Sequence, residues 1–248
     1  NDLAYLLVSL MPFTALFFSK TEKYYIRIIA LATMIISIVL IFLTGSRGGV
    51  IGIIAFLILF LFTKLSPVKR SIKIVFCIGL MIFALANKEM IFTERSATIF
   101  ELGQDYNITD EFGRLQLWEK GLEFTLKRPL TGVGAQCFQE AIAIDRQQRN
   151  VQERWQVVHN VYLQVSSELG LIAFIIFFLM MKESLQIFHK VRIGLENQLN
   201  IRKLAGVTQI GFICHIVVAF FLTQGYSILF SLFFGFASSL HITSNYDR

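Results

Sequence analysis

An all-α polytopic membrane protein is the fold class that the sequence predicts, and three observations carry this prediction. Hydrophobic residues make up 55% of the 248 residues, and the mean hydropathy is +0.62. Charged residues make up 16% of the chain, whereas about a quarter is usual in a soluble domain. The apolar residues are also concentrated in runs that approach the roughly 20 residues a helix needs to cross a bilayer.

The apolar runs predict about seven transmembrane helices and one long extracytoplasmic loop that contains amphipathic helices. Backbone polar groups must be paired inside a bilayer, so each run is expected to be helical. The predicted organisation is four transmembrane helices in 1–87, the loop in 88–158, and three helices with a cytoplasmic C-terminus in 159–248. The runs themselves lie at 3–18, 25–44, 48–63, 72–87, 160–181, 204–222 and 226–241.

The distribution of lysine and arginine predicts the orientation in the membrane. The joints at 19–27, 64–73 and 182–203 hold more than half of the 23 Lys and Arg residues, and the side richer in these residues usually faces the cytoplasm. The stretch 88–158 has a net negative charge and falls on the opposite side. Orientation therefore accounts for the pI of about 9.3, and no nucleic-acid partner is expected.

The start of the chain and its cysteines give two further expectations. Asn1 and Asp2 run directly into an apolar segment without the basic region of a signal peptide. We expect the sequence to be the C-terminal part of a longer protein. Of the three cysteines, Cys77 and Cys214 lie in apolar runs and only Cys137 lies in the polar stretch, so no disulfide framework is predicted.

The long loop is predicted to contain two helices. The segment DEFGRLQLWEKGLEFTLKRPL (110–130) has Asp110 as a candidate N-cap and Pro129 near its end. A second, polar helix is predicted at 146–156. The first helix has an apolar stripe that is expected to lie on the membrane surface or to pack on the transmembrane helices; the stripe consists of Leu115, Trp118, Leu122 and Leu126.

His159 stands where the polar stretch meets an apolar run. The ordinary imidazole pKa of about 6.5 suits proton transfer at neutral pH, although position alone favours a histidine that merely caps a helix. Glu168 follows nine residues later, which on one continuous helix means opposite faces, roughly 13 Å apart along the axis. We therefore expect no hydrogen-bonded pair. Glu168 is expected to meet a polar group on another helix, such as Gln224, with a proton relay as the less favoured alternative.

Arg47 lies in TGSRGGVIG (44–52), between two apolar runs and on the predicted outer side. A cation there is costly unless it faces water or an anion, and a guanidinium suits a phosphate in both charge and shape. The nearby glycines allow either close helix packing or close approach of an anionic ligand, and both interpretations remain open. The spaced glycine pairs are Gly45 with Gly49 and Gly48 with Gly52.

Arg114 begins the first loop helix, one turn before Trp118. By itself a solvated surface charge is the simpler interpretation.

The loop has no D-x-D pair and no cluster with metal-ligand spacing. The segment GVG (132–134) lacks the remainder of a dinucleotide-binding fingerprint. The sequence therefore predicts neither a metal nor a cofactor.

Five short segments follow one another in a fixed order along the chain: NDLA (1–4), SRGG (46–49), GRLQLW (113–118), RPLTGVG (128–134) and HNVYLQVSSELG (159–170). Each segment alone is a weak signal, but their order, with a long loop between the second and the last, is more specific. Taken together, they resemble the bacterial O-antigen ligase and O-antigen polymerase family.

The resemblance implies a metal-independent membrane glycosyltransferase. Members move a glycan from undecaprenyl diphosphate to an acceptor at the outer face of the bacterial cytoplasmic (inner) membrane, and they have about a dozen transmembrane helices. The acceptor hydroxyl belongs to lipid A-core, to another glycan or to a protein. The resemblance makes His159 the catalytic histidine and Arg47 and Arg114 the diphosphate contacts. Asn160, Gly48 and Gly49 are further candidate substrate-binding residues.

Several alternatives stay open. Within the family, a repeat-unit polymerase and a protein O-oligosaccharyltransferase use the same chemistry as a ligase, and the residues do not separate them. A membrane transporter is the alternative from another class. Transporters often carry paired interrupted helices around a mid-membrane site, and the sequence shows no such pairing.

Overall fold

The computed structural model describes residues 1–18, 22–62, 68–86, 113–152, 154–194 and 198–246. Helix is the only regular structure in these ranges, which confirms the all-α prediction. The chain forms two compact units. The first takes the described residues of 1–97, 182–218 and 228–248, and the second takes those of 98–181 and 219–227. The first part of the predicted loop, with the expected N-cap Asp110, lies outside the described residues.

Nine α-helices and one 3-10 helix make up the described part of the chain. In order they are α1 (Asp2–Leu10), the 3-10 helix (Met11–Phe18), α2 (Tyr24–Leu43), α3 (Arg47–Phe62), α4 (Arg70–Ala86), α5 (Arg114–Lys127), α6 (Phe138–Gln148), α7 (Val161–Gly194), α8 (Leu199–Ala219) and α9 (Ile228–Tyr246). α7 continues well past the predicted end of its apolar run at residue 181.

Three of these helices, α2, α7 and α8, are long and apolar enough to cross a membrane. Three shorter apolar helices accompany them, at Asp2–Phe18, Arg47–Phe62 and Ile228–Ser244. Exposed side chains on α2 and α7 are largely apolar, for example Ile29, Ile36 and Ile172. Water disfavours such surfaces, whereas lipid accepts them. The number of seven transmembrane helices remains a prediction.

In the first unit, two glycines of α3 allow close packing. A Cβ on Gly52 would lie 2.5 Å from a methyl of Val218 and 2.7 Å from one of Val8. A Cβ on Gly49 would lie 2.9 Å from that of Ala4. These are the close approaches that small residues permit between membrane helices. Gly49 and Gly52 therefore serve close helix packing, one of the two interpretations of the segment TGSRGGVIG (44–52).

A polar cluster joins α1 to α8 inside the first unit. The fully buried His215 ring lies 2.6 Å from the Tyr5 hydroxyl through Nε2 and 2.8 Å from Ser9 Oγ through Nδ1. Ser9 donates its one hydroxyl proton to the Tyr5 carbonyl, at 2.7 Å. Because that proton is used, Ser9 accepts from Nδ1–H, and Nε2 accepts the Tyr5 hydroxyl proton. The ring is thereby neutral and satisfied on both sides.

The second unit has its own small apolar core. This core is built from α5, α6 and the segment that leads into α7, and it consists of Leu117, Phe124, Phe138, Ile142 and Val158. Gly121 lets α5 come close, since a Cβ there would lie 3.2 Å from a Val158 methyl. Thr125 of α5 bonds Ser166 of α7 at 3.1 Å.

The buried face of α5 differs from the stripe that the sequence suggests. Leu115, Leu122 and Leu126 are 52%, 53% and 67% exposed, so they do not form the core contact of this helix. Leu117 and Phe124 supply that contact instead. Trp118, the fourth member of the stripe, does pack inside the protein, against this core and with its ring centroid 5.3 Å from that of Phe220. For the three leucines, a position on the membrane surface remains a prediction. The helix begins at Arg114, with Gly113 as its N-cap.

The second predicted loop helix, at 146–156, is wrong. α6 ends at Gln148, and the described residues of 149–160 are not helical. Asn150 adopts a left-handed backbone (φ 57°). The buried Arg146 holds the following segment, because its Nη1 donates to the Arg154 carbonyl at 2.9 Å and its carbonyl accepts from Val151 at 3.0 Å. These tertiary contacts outweigh the local helix propensity.

Candidate active site

The last family-like segment (159–170) ends at a break in α7. α7 is interrupted at Gly170, whose backbone (φ 85°, ψ 175°) lies outside the helical region. Only glycine adopts this conformation readily. A Cβ at Gly170 would also lie 2.7 Å from the carbonyl oxygens of Leu130 and Pro129. The sequence predicts an unbroken helix over 160–181, so this interruption is a correction.

The segment RPLTGVG (128–134) supplies the hydrogen bonds that the interruption removes. Val133 N–H donates to the Ser167 carbonyl at 2.8 Å, and Gly134 N–H donates to the Glu168 carbonyl at 3.0 Å. On the other side of the break, Leu171 N–H donates to the Pro129 carbonyl at 2.7 Å. Helix ends leave such groups unpaired. Two of the family-like segments, far apart in sequence, are thus joined through their backbones.

Asn160 begins α7. Its side-chain Oδ1 accepts from the backbone N–H groups of Tyr162 and Leu163, at 2.9 and 3.0 Å. Its carbonyl accepts from Gln164 N–H at 2.8 Å. This is an N-cap, for which asparagine is among the preferred residues. The side chain is buried and serves the helix end; its expected contact with substrate remains a prediction.

His159 precedes the cap in a left-handed conformation (φ 52°), which is uncommon for a residue other than glycine. Its backbone N–H donates to Thr223 Oγ1 at 2.8 Å. The bond ties the histidine to the turn between α8 and α9. Because Asn160 already caps α7, the cap role that position alone suggested for His159 falls to its neighbour.

The environment of His159 favours the neutral imidazole. Burial lowers its pKa, and the positive charge of Arg114 lowers it further. Arg114 is half-buried at the first position of α5. Both residues belong to the second unit. A solvated surface charge is no longer a sufficient description of Arg114.

Arg47, Gly48 and Gly49 belong to the first unit. Arg47 is the first residue of α3 and is half-buried. Ser46 caps the helix, since its Oγ accepts from Gly49 N–H at 3.2 Å. Gly48 and Gly49 are buried in the same turn. A contact of any of these three residues with a ligand remains a prediction.

The prediction that His159 and Glu168 lie on opposite faces of one continuous helix is wrong. His159 lies outside α7, in a non-helical conformation, so helical spacing does not relate the two side chains. Glu168 does bond groups outside its own helix, as expected. Its Oε2 accepts from the Tyr226 hydroxyl at 2.6 Å and from Gln136 N–H at 2.9 Å. These partners replace the suggested Gln224.

A polar cavity of about 450 Å³ lies in the second unit. Glu168 and Gln164 of α7 line one side, and Thr223 and Tyr226 of the α8–α9 turn line another. Gln164 fixes the turn, because its Oε1 accepts from Gly225 N–H at 2.8 Å. The cavity wall is therefore held by hydrogen bonds between α7 and this turn.

Sequence reasoning missed most of this wall. Tyr226, Thr223 and Gln136 belong to no catalytic motif, and of the turn the sequence singles out only Gln224. One signal was available: TQGY (223–226) is a polar tetrapeptide between two apolar runs. Such a cluster needs partners in a membrane protein. The sequence does not show that this tetrapeptide lies beside Glu168, because that contact depends on the tertiary fold.

No group of three or more His, Cys, Asp or Glu residues that could hold a metal ion occurs among the described residues. The candidate active site offers instead a histidine, an arginine and hydrogen-bonding side chains. Together with the apolar helices, these features indicate a membrane protein with a polar site.

The chain belongs to the O-antigen ligase family. A family model described as O-antigen ligase matches residues 32–178, more than half of the chain. The match contains four of the five family-like segments, and NDLA (1–4) precedes it. No curated protein sequence matches significantly. Membership indicates a membrane glycosyltransferase of the ligase or polymerase type, with a lipid-linked glycan and an acceptor as its substrates.

Proposed function

We propose that this protein transfers a glycan from undecaprenyl diphosphate to an acceptor hydroxyl at the outer face of the bacterial cytoplasmic membrane. His159 is the general base, and Arg114 and Arg47 contact the diphosphate. The observation that carries the proposal is the position of His159 and Arg114 in one unit, where burial and the Arg114 charge lower the pKa of the histidine.

A lowered pKa suits a general base. The imidazole must be unprotonated to accept a proton, and a pKa below its ordinary value keeps it so at neutral pH. The same guanidinium that lowers the pKa also attracts an anion. One arginine thus favours both the neutral base and a nearby phosphate group.

The positions of the two arginines support anion binding. Arg114 is the first residue of α5 and Arg47 is the first residue of α3, and neither helix has an acidic residue in its first turn. A cation at a helix N-terminus is disfavoured by the helix dipole. A bound phosphate reverses this balance, because N-terminal N–H groups and a guanidinium both favour it.

In the transfer step, the acceptor hydroxyl oxygen forms a bond to the anomeric carbon of the donor sugar. The bond between that carbon and the phosphate oxygen breaks, and undecaprenyl diphosphate leaves with the electron pair. The hydroxyl proton passes to His159. Arg114 and Arg47 stabilise the charge that grows on the leaving diphosphate. The balance needs no metal ion and no redox partner.

The acceptor decides whether the protein is a ligase, a repeat-unit polymerase or a protein O-oligosaccharyltransferase. All three acceptors, lipid A-core, a lipid-linked glycan and a protein, present a hydroxyl to the same base. Product length separates two of them, because a polymerase makes a ladder of chain lengths and a ligase transfers a finished chain once.

The test is release of undecaprenyl diphosphate by the purified full-length protein, given donor and each candidate acceptor. We expect release only with an acceptor, and His159→Ala should lower the rate by about 10²- to 10⁴-fold, the usual contribution of a general base. His241→Ala is the matched control, because His241 is exposed on α9. A folded His159→Ala protein with full rate would overturn the general-base role.

A further inference from the structure

We propose that the polar cavity of the second unit is a subsite for an uncharged sugar residue of one of the two glycan substrates. This inference rests on the proposed glycan transfer and adds a place where the chain recognises sugar hydroxyls. Its polar lining includes Gln136, Gln164, Glu168, Thr223, Tyr226 and Ser227.

The size and the lining fit a sugar. The volume of about 450 Å³ falls within the roughly 300–1,000 Å³ of small-molecule sites. Most of the lining is amide, hydroxyl and carboxyl groups, which are the partners that sugar hydroxyls use. None of the described residues that line the cavity is a lysine or an arginine, and one is a glutamate. A diphosphate therefore does not suit it.

Glu168 presents an acceptor to the cavity. Both of its hydrogen bonds among the described residues use Oε2, which leaves Oε1 to accept from a ligand. The residue is only 2% exposed. A buried carboxylate oxygen is a strong acceptor for a hydroxyl, because hydrogen bonds to charged groups exceed those to neutral ones.

Ser227 presents a second polar group. Its Oγ is buried and has no hydrogen-bond partner within the described part of the chain. Buried hydroxyls are normally paired, and a ligand hydroxyl in the cavity would supply the partner. Ser227 is thus a second, independent observation that points to an occupant.

The cavity wall is fixed before a ligand arrives. Gln164 is buried and bonded to Gly225, and Glu168 is held by Gln136 and Tyr226. Gln136 itself has a left-handed backbone (φ 60°). Residues held in such conformations occur preferentially at ligand sites. A preorganised wall loses little entropy when a sugar binds.

The cavity also borders the segment that carries the proposed base. Thr223, which lines the cavity, accepts the backbone N–H of His159 at 2.8 Å. Val157, two residues before His159, lines it as well. A sugar in the cavity would lie beside the reacting hydroxyl or the donor sugar, as a subsite of a glycan transferase requires.

The experiment is saturation-transfer NMR on the purified full-length protein. The probes are the methyl glycosides of glucose, galactose and N-acetylglucosamine, and glucuronate serves as an anionic probe. Neutral glycosides should receive saturation, and glucuronate should receive much less because of repulsion by Glu168. Ser227→Ala and Glu168→Gln should each weaken binding, by about tenfold for Glu168→Gln, which keeps the shape and removes the charge.

A matched pair of tryptophan variants controls for folding and non-specific binding. Gln139→Trp fills the cavity that Gln139 lines, whereas Gln147→Trp places the same side chain on an exposed position of the same helix, α6. The first should abolish saturation transfer and the second should leave it unchanged. Equal signals from both variants would overturn the subsite.

The outcomes separate this inference from the proposed function. His159→Ala should lose transfer but keep sugar binding, since the imidazole is not needed for it. If His159→Ala loses transfer and Gln139→Trp leaves sugar binding intact, the glycosyltransferase stands and the subsite is wrong. If Gln139→Trp loses sugar binding and His159→Ala keeps full transfer, the subsite stands and the general-base role is wrong.

Discussion

The backbone N–H of Leu171 donates a 2.7 Å hydrogen bond to the carbonyl oxygen of Pro129. Without the interruption at Gly170, this N–H would bond within α7, so the segment 128–134 takes the place of a helical turn. Two hydrogen bonds run in the other direction, from Val133 N–H and Gly134 N–H to the carbonyls of Ser167 and Glu168. The joint lies directly next to the carboxylate that lines the polar cavity.

Gly170→Ala should therefore destabilise the second unit. The backbone conformation at Gly170 alone is worth about 1–3 kcal/mol when a side chain is forced into it. A Cβ would also meet the carbonyl oxygens of Pro129 and Leu130 at 2.7 Å, which displaces the bond to Leu171. We expect a lower unfolding midpoint in detergent and loss of transfer activity.

Gly235→Ala is the control for this change. A Cβ at Gly235, on α9, would meet nothing within 4 Å, and alanine favours a helix by about 1 kcal/mol over glycine. The midpoint should stay the same or rise. Equal midpoints for Gly170→Ala and the parent protein would show that the interruption is not fixed by its glycine.

Arg114→Gln should move the pH dependence of transfer. Catalysis by a neutral imidazole rises as pH increases through its pKa, so the acid limb of kcat/KM reports the pKa of His159. Burial and the Arg114 charge both lower that pKa. Removing the charge raises it toward the ordinary value, and the acid limb moves to higher pH.

Arg114→Lys provides the comparison, because it keeps the charge. Its acid limb should stay near that of the parent protein, even though lysine does not reproduce the shape of a guanidinium. The rate at the plateau will fall in both variants if Arg114 also contacts the diphosphate. An acid limb that does not move in Arg114→Gln would contradict the electrostatic link.

His215→Leu should weaken the contact between α1 and α8. It removes the acceptor of the Tyr5 hydroxyl and the donor to Ser9, in a site where the ring is fully buried. Loss of a buried partner costs about 1–3 kcal/mol. The measurement is the detergent unfolding midpoint, with His189→Leu as a control at an exposed position of α7. Equal midpoints for the two variants would contradict a structural role for the buried cluster.

The exposed leucines of α5 should touch lipid. Leu122 and Leu126 are 53% and 67% exposed, and a helix with one apolar face lies at the membrane surface. Spin labels on cysteines at positions 122 and 126 should be more accessible to oxygen than to a water-soluble nickel complex. A label at Gln116, which is exposed on a different face of α5, should show the opposite order. Water exposure at all three positions would overturn the prediction.

The sequence predicts the fold class and most helix positions because membrane-length apolar runs are a strong signal. The boundaries of α3 and α4 fall within about two residues of the predicted runs. The helix predicted at 146–156 fails because buried Arg146 and its contacts control that segment. Local polarity carries no information about such contacts.

The sequence singles out His159 and Arg114, and the structure places both in the second unit, where burial and the Arg114 charge lower the pKa of His159. Their roles stay predictions. The interruption at Gly170 is missed, since an isolated glycine inside an apolar run resembles a packing residue. The partners of Glu168 are missed because Tyr226 and Gln136 lie far from it in sequence.

The interruption of α7 also has a consequence for how the protein is made. The residues that satisfy the break, from Pro129 to Gly134, precede α7 in the chain. A segment entering the bilayer alone would carry unpaired backbone groups at that point. The segment 129–134 must therefore reach its place before, or together with, the helix that follows. In a nascent chain that lacks 129–134, we expect α7 to shift its depth in the membrane and the chain to be degraded faster.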